Sequence, residues 1–466
     1  MAGEADPRLV GLEFRRGFAL WLMPVGLVAL YAVLRDQFSS PIAVWPEEVV
    51  SLRDTVTYLG PLFAGAAAWM ATRDLRTGVD ELLGTTPLPT AARRVTTWAG
   101  LAITAALTYA ILVIPVLIVT AMRATWGGPE WWPLIVGLTA IVAHTAIGFA
   151  AGTWFPSRFI APVIVLLLFL GQLYVGTVAG HDMTVLTIAP RLDDLFGERR
   201  YLSPIAETSR DVSYGIWPAV GMWQSLWFLG GTGVMLSLAS MRPRPTLGPA
   251  IALAISLVVS LGGAAEVVRR TATDPFGSAF QRHAETHPAA AWEPTCAGDR
   301  IAVCVHPAYE GWLDELAGRT NRVLDPIAGR PGVPTTVIQN DPSPLIGLPS
   351  TPPPVGTIGL WLNTDIGWSM FYVAHWLETG PTTMREETTV TEEGAMAQSV
   401  ISRWLLLQAG EPDLFGLAYS DQTGADGTIN GYVTRFDALD TAAQSRWFDV
   451  HLAGLLAGTL TLADLP

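Results

Sequence analysis

Over the first 270 residues, long apolar runs alternate with short polar breaks. The runs fall at 17–34, 55–72, 97–122, 133–153, 159–179, 217–240 and 249–268. Each holds about 18 or more mostly apolar residues, near the ~20 that an α-helix needs to cross a bilayer core. Tryptophans mark several run ends, at Trp21, Trp69, Trp98, Trp131, Trp132 and Trp217, the depth at which aromatic side chains favour a membrane interface. The pattern predicts an α-helical polytopic membrane protein of seven spans. The segment ahead of the first run has no signal-peptide cleavage pattern. Within it, Leu9, Val10, Leu12 and Phe14 interleave with Arg8, Glu13 and Arg15, so residues 1–16 read as a short interfacial helix.

Beyond residue 268 the pattern changes. Residues 269–294 are polar with scattered Pro and Ala and read as a linker. In the same stretch His283 and His287 bracket Ala-Glu-Thr, which is not HExxH and reads as a solvated helix rather than a metal site. Residues 295–466 mix short β-type runs with helical stripes, predicting an α/β domain of its own. Trp312, Leu313, Leu316, Val323 and Leu324 lie on one helical stripe within 308–325. Strands are expected near 335–339 and in the GTIGLWLN stretch. Further helices are expected at 369–378, 392–407 and 442–455.

Composition sharpens this. Only 15% of the residues are charged, and the mean hydropathy is positive. All 28 basic residues are arginine. A P-loop needs a lysine to reach nucleotide phosphates, so an ATP site of that kind is not expected in this chain. Residues 1–270 carry 19 Arg against 18 acidic residues, and residues 271–466 carry 9 against 23. The acidic second half argues against nucleic acid as a partner. Both cysteines, Cys296 and Cys304, bracket a seven-residue hairpin, which favours one disulfide and an oxidising compartment. With the N-terminus inside, the short segments 1–16, 73–96, 154–158 and 241–248 carry ten arginines, and the opposite segments 35–54, 123–132 and 180–216 carry seven. That orientation places 269–466 outside, in agreement with the disulfide.

Candidate chemistry is sparse. His144, Gln172 and Gln224 are polar residues inside spans, the usual functional candidates at that depth. None is a carboxylate or arginine, which weighs against an ion-coupled relay, and an interhelical hydrogen bond is the expected role of His144. The 180–216 segment is expected to hold a short helix near 193–199. No GxSxG occurs. The clearest polar segment is RDLRTGVDELLGTTPLPTAARRVTTW, running from Arg73 to Trp98 between two apolar runs. It holds Arg73, Arg76, Arg93 and Arg94, a short amphipathic stretch around Asp80, Glu81, Leu82 and Leu83, and helix-breaking Pro87 and Pro89.

PRLVGLEFRR, followed by a span, and RDLRTGVDELLGTTPLPTAARR, set between the second and third spans, together resemble permease subunits of type-2 ABC exporters. The resemblance covers about residues 7–240 and implies a six-span permease unit at 17–240 with a coupling loop at 73–96. It implies a cytosolic ABC ATPase docked on Asp80, Glu81, Leu82, Leu83, Pro87 and Arg93. ATP would sit on that partner, with no cofactor in this chain, and a second permease copy or paralogue would complete the path in the bilayer. The seventh span and the external domain depart from the simplest members. A second, weaker resemblance links the helix carrying His375 to gluzincin metallopeptidases. There, however, Trp376 stands where the general base belongs and Thr379 where the second histidine belongs. That implies a peptidase-like fold without its metal, and no enzyme is expected. The alternatives are a membrane-anchored sensor with an external binding domain, and a membrane-bound hydrolase.

Overall fold

The apolar runs fold as helices, and helices dominate the described residues, with one small sheet and two short ribbons beside them. The computed structural model describes residues 42–73, 89–173, 201–205, 214–216, 218–242, 246–272, 280–282, 294–339, 357–360, 366–379, 390–411 and 426–466, with isolated positions at 23–31 and 362. The chain divides into two units, one built on residues 43–288 and the other on residues 289–466. The division falls inside the stretch 269–294, which is expected to be a linker.

In the first unit, β1 (Ala43–Val44) leads into α1 (Trp45–Asp54). Pro46 and the acidic pair Glu47 and Glu48 occupy the first turn of α1, where a missing N–H costs nothing and negative charge meets the helix dipole. Next come α2 (Val56–Ala71), α3 (Thr90–Arg123), β2 (Ala124–Trp126), α4 (Trp131–Trp154) and α5 (Ile160–Leu173). The unit closes with β3 (Tyr214–Ile216), α6 (Pro218–Ser240), α7 (Leu247–Ala272) and β4 (Phe280–Arg282). Among the described residues three helices are long and apolar enough to cross a membrane: Thr90–Arg123, Trp131–Trp154 and Leu247–Thr271. That is fewer than the seven apolar runs. Residues 17–34 lie largely outside the described residues. As helices, the second and fifth runs are 16 and 14 residues long, and the sixth carries buried Gln224, Ser225, Thr232 and Ser237.

Small residues set the packing. Gly148 and Gly152 of α4 face Ala64 and Ala68 of α2 so closely that a Cβ would come within 1.9 Å and 2.4 Å of their carbonyl oxygens. Gly230 and Gly233 of α6 lie against Ser260 and Ser256 of α7, and Gly263 of α7 lies against Trp227 of α6. Without a hydrophobic driving force in lipid, this close approach of backbones is what lets helices associate. The α4 helix is central, with 72% of its most apolar window buried, whereas α7 is peripheral at 17%. Two ribbons lie away from the helix ends Thr90, Trp154 and Ser240. The first is the parallel pair β1–β2, and the second the antiparallel pair β3–β4, in which Tyr214, Gly215 and Ile216 oppose Arg282, Gln281 and Phe280. Strands of two and three residues, set in segments that read as loop and linker, leave no periodic trace, so the sequence pattern predicts neither ribbon.

The second unit holds a four-stranded sheet: β5 (Thr295–Ala297), β6 (Ala302–Val305), β7 (Thr336–Gln339) and β8 (Thr357–Leu360), in that order. The β5–β6 pair is an antiparallel hairpin with Cys296 directly opposite Cys304, their sulfurs at disulfide distance. The other two pairings are parallel. Helices α8 (Glu310–Leu324), α9 (Ile366–Thr379), α10 (Glu392–Gln408), α11 (Asp426–Asp437) and α12 (Thr441–Ala457) complete it. Four of the five fall where the sequence pattern puts helices. The exception is α11, because DGTINGYVTRFD mixes Gly and Asn into a weak stripe. Its Phe436 nonetheless anchors an aromatic core with Trp404, Trp447 and Phe448, at centroid separations of 5.0 to 5.7 Å. The side chains of Thr391 and Asp440 cap α10 and α12 by accepting from the amides of Gly394 and Ala443.

Candidate functional site

The site begins where α3 starts. Pro89 precedes the helix, and Thr90–Thr96 are helical, although the sequence pattern assigns them to the 73–96 loop. The reason is local: Pro89 fixes an extended conformation and Thr-Ala-Ala-Arg-Arg then continues the helix without a breaker. Arg93 therefore sits in the first turn of α3, half-buried, its amide donating to the Pro89 carbonyl. Asp80, Glu81, Leu82, Leu83 and Pro87 lie outside the described residues, as do the 1–16 segment, 193–199 and His283 to His287.

One residue after Arg93, Arg94 reaches across to α6. Its Nη1 donates to the carbonyls of Ala239 and Arg242, both at 2.6 Å. Helix C-termini leave their last carbonyls without intrahelical donors and carry partial negative charge, so a guanidinium fits there on both counts. Arg242 repeats the arrangement on a third helix, donating to the Thr153 carbonyl and, at 3.1 Å, to the Trp154 carbonyl at the end of α4. Trp154 closes the circuit by donating its indole N–H to the Leu238 carbonyl at 3.2 Å. The start of α3 and the ends of α4 and α6 are thus tied at one end of the unit by two arginines and one tryptophan. The sequence pattern names Arg93 and Arg94 in the 73–96 segment, gives only Arg93 a docking role and passes over Arg242, because an arginine beside a span reads first as an orientation signal.

The polar residues inside the apolar runs have partners as well. His144 Nε2 and Gln172 Nε2 are 3.1 Å apart, joining α4 to α5, and both side chains are buried. His144 Nδ1 and Gln172 Oε1 have no hydrogen-bond partner among the described residues. Gly60 of α2 packs against the imidazole so closely that a Cβ there would stand 2.5 Å from Nδ1. Gln224 does a different job: its amide donates to the Tyr201 carbonyl at 2.6 Å, while Trp227 donates to the Leu202 carbonyl, fastening residues 201–205 to α6. Sequence reasoning groups the three residues, but the structure brings together only His144 and Gln172.

At the far end, near the ribbons, charged groups are buried. Arg53 is 2% exposed and pairs with Asp54 at 2.9 Å. Glu48, 6% exposed, has an oxygen with no partner among the described residues, and desolvation pushes its carboxyl up to about 7. Burial pushes Glu130 up to about 7 too.

No protein-family model matches the chain, and no curated protein or solved structure matches it.

In the second unit, an open groove of about 650 Å³ lies between the β5–β6 turn and α8, lined by Asp299, Arg300, Asp314, Asn321, Arg322 and Gln408 among others. Arg300 pairs with Asp325 across its rim. Among the described residues no group of three or more His, Cys, Asp or Glu is arranged to hold a metal. His375 lies on α9, with Trp376 buried beside it. His306 is buried, accepts the Ala308 amide on Nδ1 at 3.1 Å, and is pushed down to about 4 by burial.

Proposed function

We propose that the chain is the membrane-spanning permease subunit of an ATP-driven, ABC-type exporter. In this reading it spans the membrane seven times with its N-terminus inside, and residues 295–466 form an extracytoplasmic α/β domain. A separate cytosolic ATPase binds the 73–96 loop through Asp80, Glu81, Leu82, Leu83, Pro87 and Arg93. Closure of the ATPase pair on nucleotide displaces that loop and rearranges the spans of two permease copies, opening a path for the exported molecule. The energy comes from ATP on the partner, since a chain without lysine has no P-loop of its own.

The observation that carries the reading is the Arg94 contact with Ala239 and Arg242. Arg94 lies in the first two turns of α3, directly after the loop; a segment kept only for its positive charge needs no fixed contact with the end of a neighbouring helix, whereas one that transmits force does. Two further facts support it. Among the described residues three helices have the length and apolarity of spans. Ile103, Leu107, Ile111, Ile114, Ile118 and Met122 leave an exposed apolar stripe along α3, which suits contact with lipid. The test is purification of the tagged chain from its native membrane, with identification of the proteins that co-purify. The reading expects a cytosolic ATPase, lost when Asp80, Glu81 and Leu82 are replaced by alanine. A membrane-anchored sensor is the second reading, favoured by the polar groove between β5–β6 and α8, and it expects no ATPase.

A further inference from the structure

We propose that α6 and α7 form one rigid rod that carries displacement of the start of α3, where the 73–96 segment ends, to the β3–β4 ribbon, with Arg94 as the positioning residue at its driven end. The proposal rests on the docking reading for the partner that pushes the loop. The path of the push rests on contacts within the chain itself.

A rod needs a grip, stiffness and an output. The grip is the pair of 2.6 Å hydrogen bonds from Arg94 to the Ala239 and Arg242 carbonyls, at and just past the end of α6; Arg242 and Trp154 bridge the same end to α4. Arg94 lies within the first two turns of α3, so any motion that tilts the start of α3 pulls on α6. Stiffness comes from the α6–α7 interface. Gly230 against Ser260 and Gly263 against Trp227 bring the backbones together at two levels, and Gly233 makes room for the Ser256 side chain at a third. Ser260 Oγ adds a hydrogen bond to the Trp227 carbonyl at 3.2 Å. Close-packed backbones with no intervening long side chains leave little room for one helix to slide on the other.

The output is the β3–β4 ribbon. β3 enters α6 and β4 comes after α7, and their antiparallel pairing closes the two helices into a loop at the end opposite Arg94. After Arg282 the chain continues into the Cys296–Cys304 hairpin. The seventh apolar run is therefore a transmission element fused to the sixth, rather than a passive tether for residues 295–466.

The experiment uses the full-length chain in lipid nanodiscs. Gly78→Cys supplies the single free thiol, since the two native cysteines pair with each other. A biotin is attached there, and streptavidin loads the loop without any ATPase. Amide hydrogen exchange is followed at 214–216 and 280–282. Loading is expected to change exchange in the ribbon by about threefold or more, the scale of a local opening equilibrium being shifted. Arg94→Gln is expected to abolish that response while leaving the unloaded exchange rates unchanged. Should Arg94→Gln fail to fold, Arg94→Lys, which keeps the charge but not the planar guanidinium that reaches both carbonyls, is expected to weaken the response. No response in the parent, or an undiminished response in the variants, overturns the rod. Absence of a co-purifying ATPase would overturn the docking reading separately, because the streptavidin measurement needs none.

Discussion

Glu48 shows how a single side chain records a cost that the fold accepts. A buried carboxyl oxygen without a hydrogen-bond partner among the described residues favours the protonated form, and the pKa rises to about 7. The folded state then binds the proton more tightly than the unfolded chain, so this group subtracts stability progressively as pH rises from about 4.5 to about 7. Glu48→Gln is expected to raise the unfolding temperature of the detergent-solubilised protein at pH 8. The gain, on the order of 1–3 kcal/mol for relieving a desolvated charge, should vanish at pH 4. His306 behaves in the opposite sense. Its neutral ring accepts the Ala308 amide, and its folded pKa lies near 4, below the ordinary value of 6.5. Stability from this residue is therefore present above about 6.5 and lost as pH falls toward 4. Hydrogen exchange at β6, corrected for intrinsic rates, should accelerate over that window in the native protein and not in His306→Asn. Neither shift is legible in the sequence, since Glu48 sits in a polar break and His306 beside a proline. Their burial comes from how α1 and the β-sheet pack, not from their neighbours in the chain.

At the scale of elements, long periodic segments are legible in the sequence and close contacts are not. The stripe of Trp312, Leu313, Leu316, Val323 and Leu324 places α8 to within two residues at each end, because a helix buried on one face must put its apolar residues at that period. The paired cysteines likewise indicate the β5–β6 hairpin. The Gly148 and Gly152 pair, four residues apart in an apolar run, is a visible signal for close helix packing, yet nothing in the sequence says that Ala64 and Ala68 lie opposite. Contact between those helices leaves no space for a branched side chain, with a Cβ at Gly148 already within 1.9 Å of the Ala64 carbonyl oxygen. Gly148→Val is therefore expected to destabilise the protein by about 1–3 kcal/mol or more, the usual penalty of overpacking. A guanidinium melt should show this as a lower midpoint with an unchanged slope. An unchanged midpoint would mean that α2 and α4 are not held by this contact. His144 and Gln172 each stand out as polar residues in apolar runs, and their meeting comes from α4 and α5 lying side by side. The arginine ties are hidden, because a carbonyl at a helix end carries no sequence signature.

Taken whole, the chain joins a helical unit to a smaller α/β unit, and the contrast is visible in the charge distribution and in the loss of long apolar runs after residue 268. The sequence does not convey that the change of unit falls beyond a strand, β4, which pairs back onto β3. The linker is expected to begin at 269, but α7 runs on to Ala272 and the chain returns to the first unit before leaving it. In the proposed function that first unit converts a push on the 73–96 loop into movement elsewhere, and it requires a partner that does the pushing. The most direct test is affinity purification of the full-length chain from its native membrane, with mass spectrometry of the proteins it retains. A cytosolic ATPase is predicted in stoichiometric amount, released when Asp80, Glu81 and Leu82 become alanine. Recovery of the intact, folded chain with no ATPase bound would contradict the proposal.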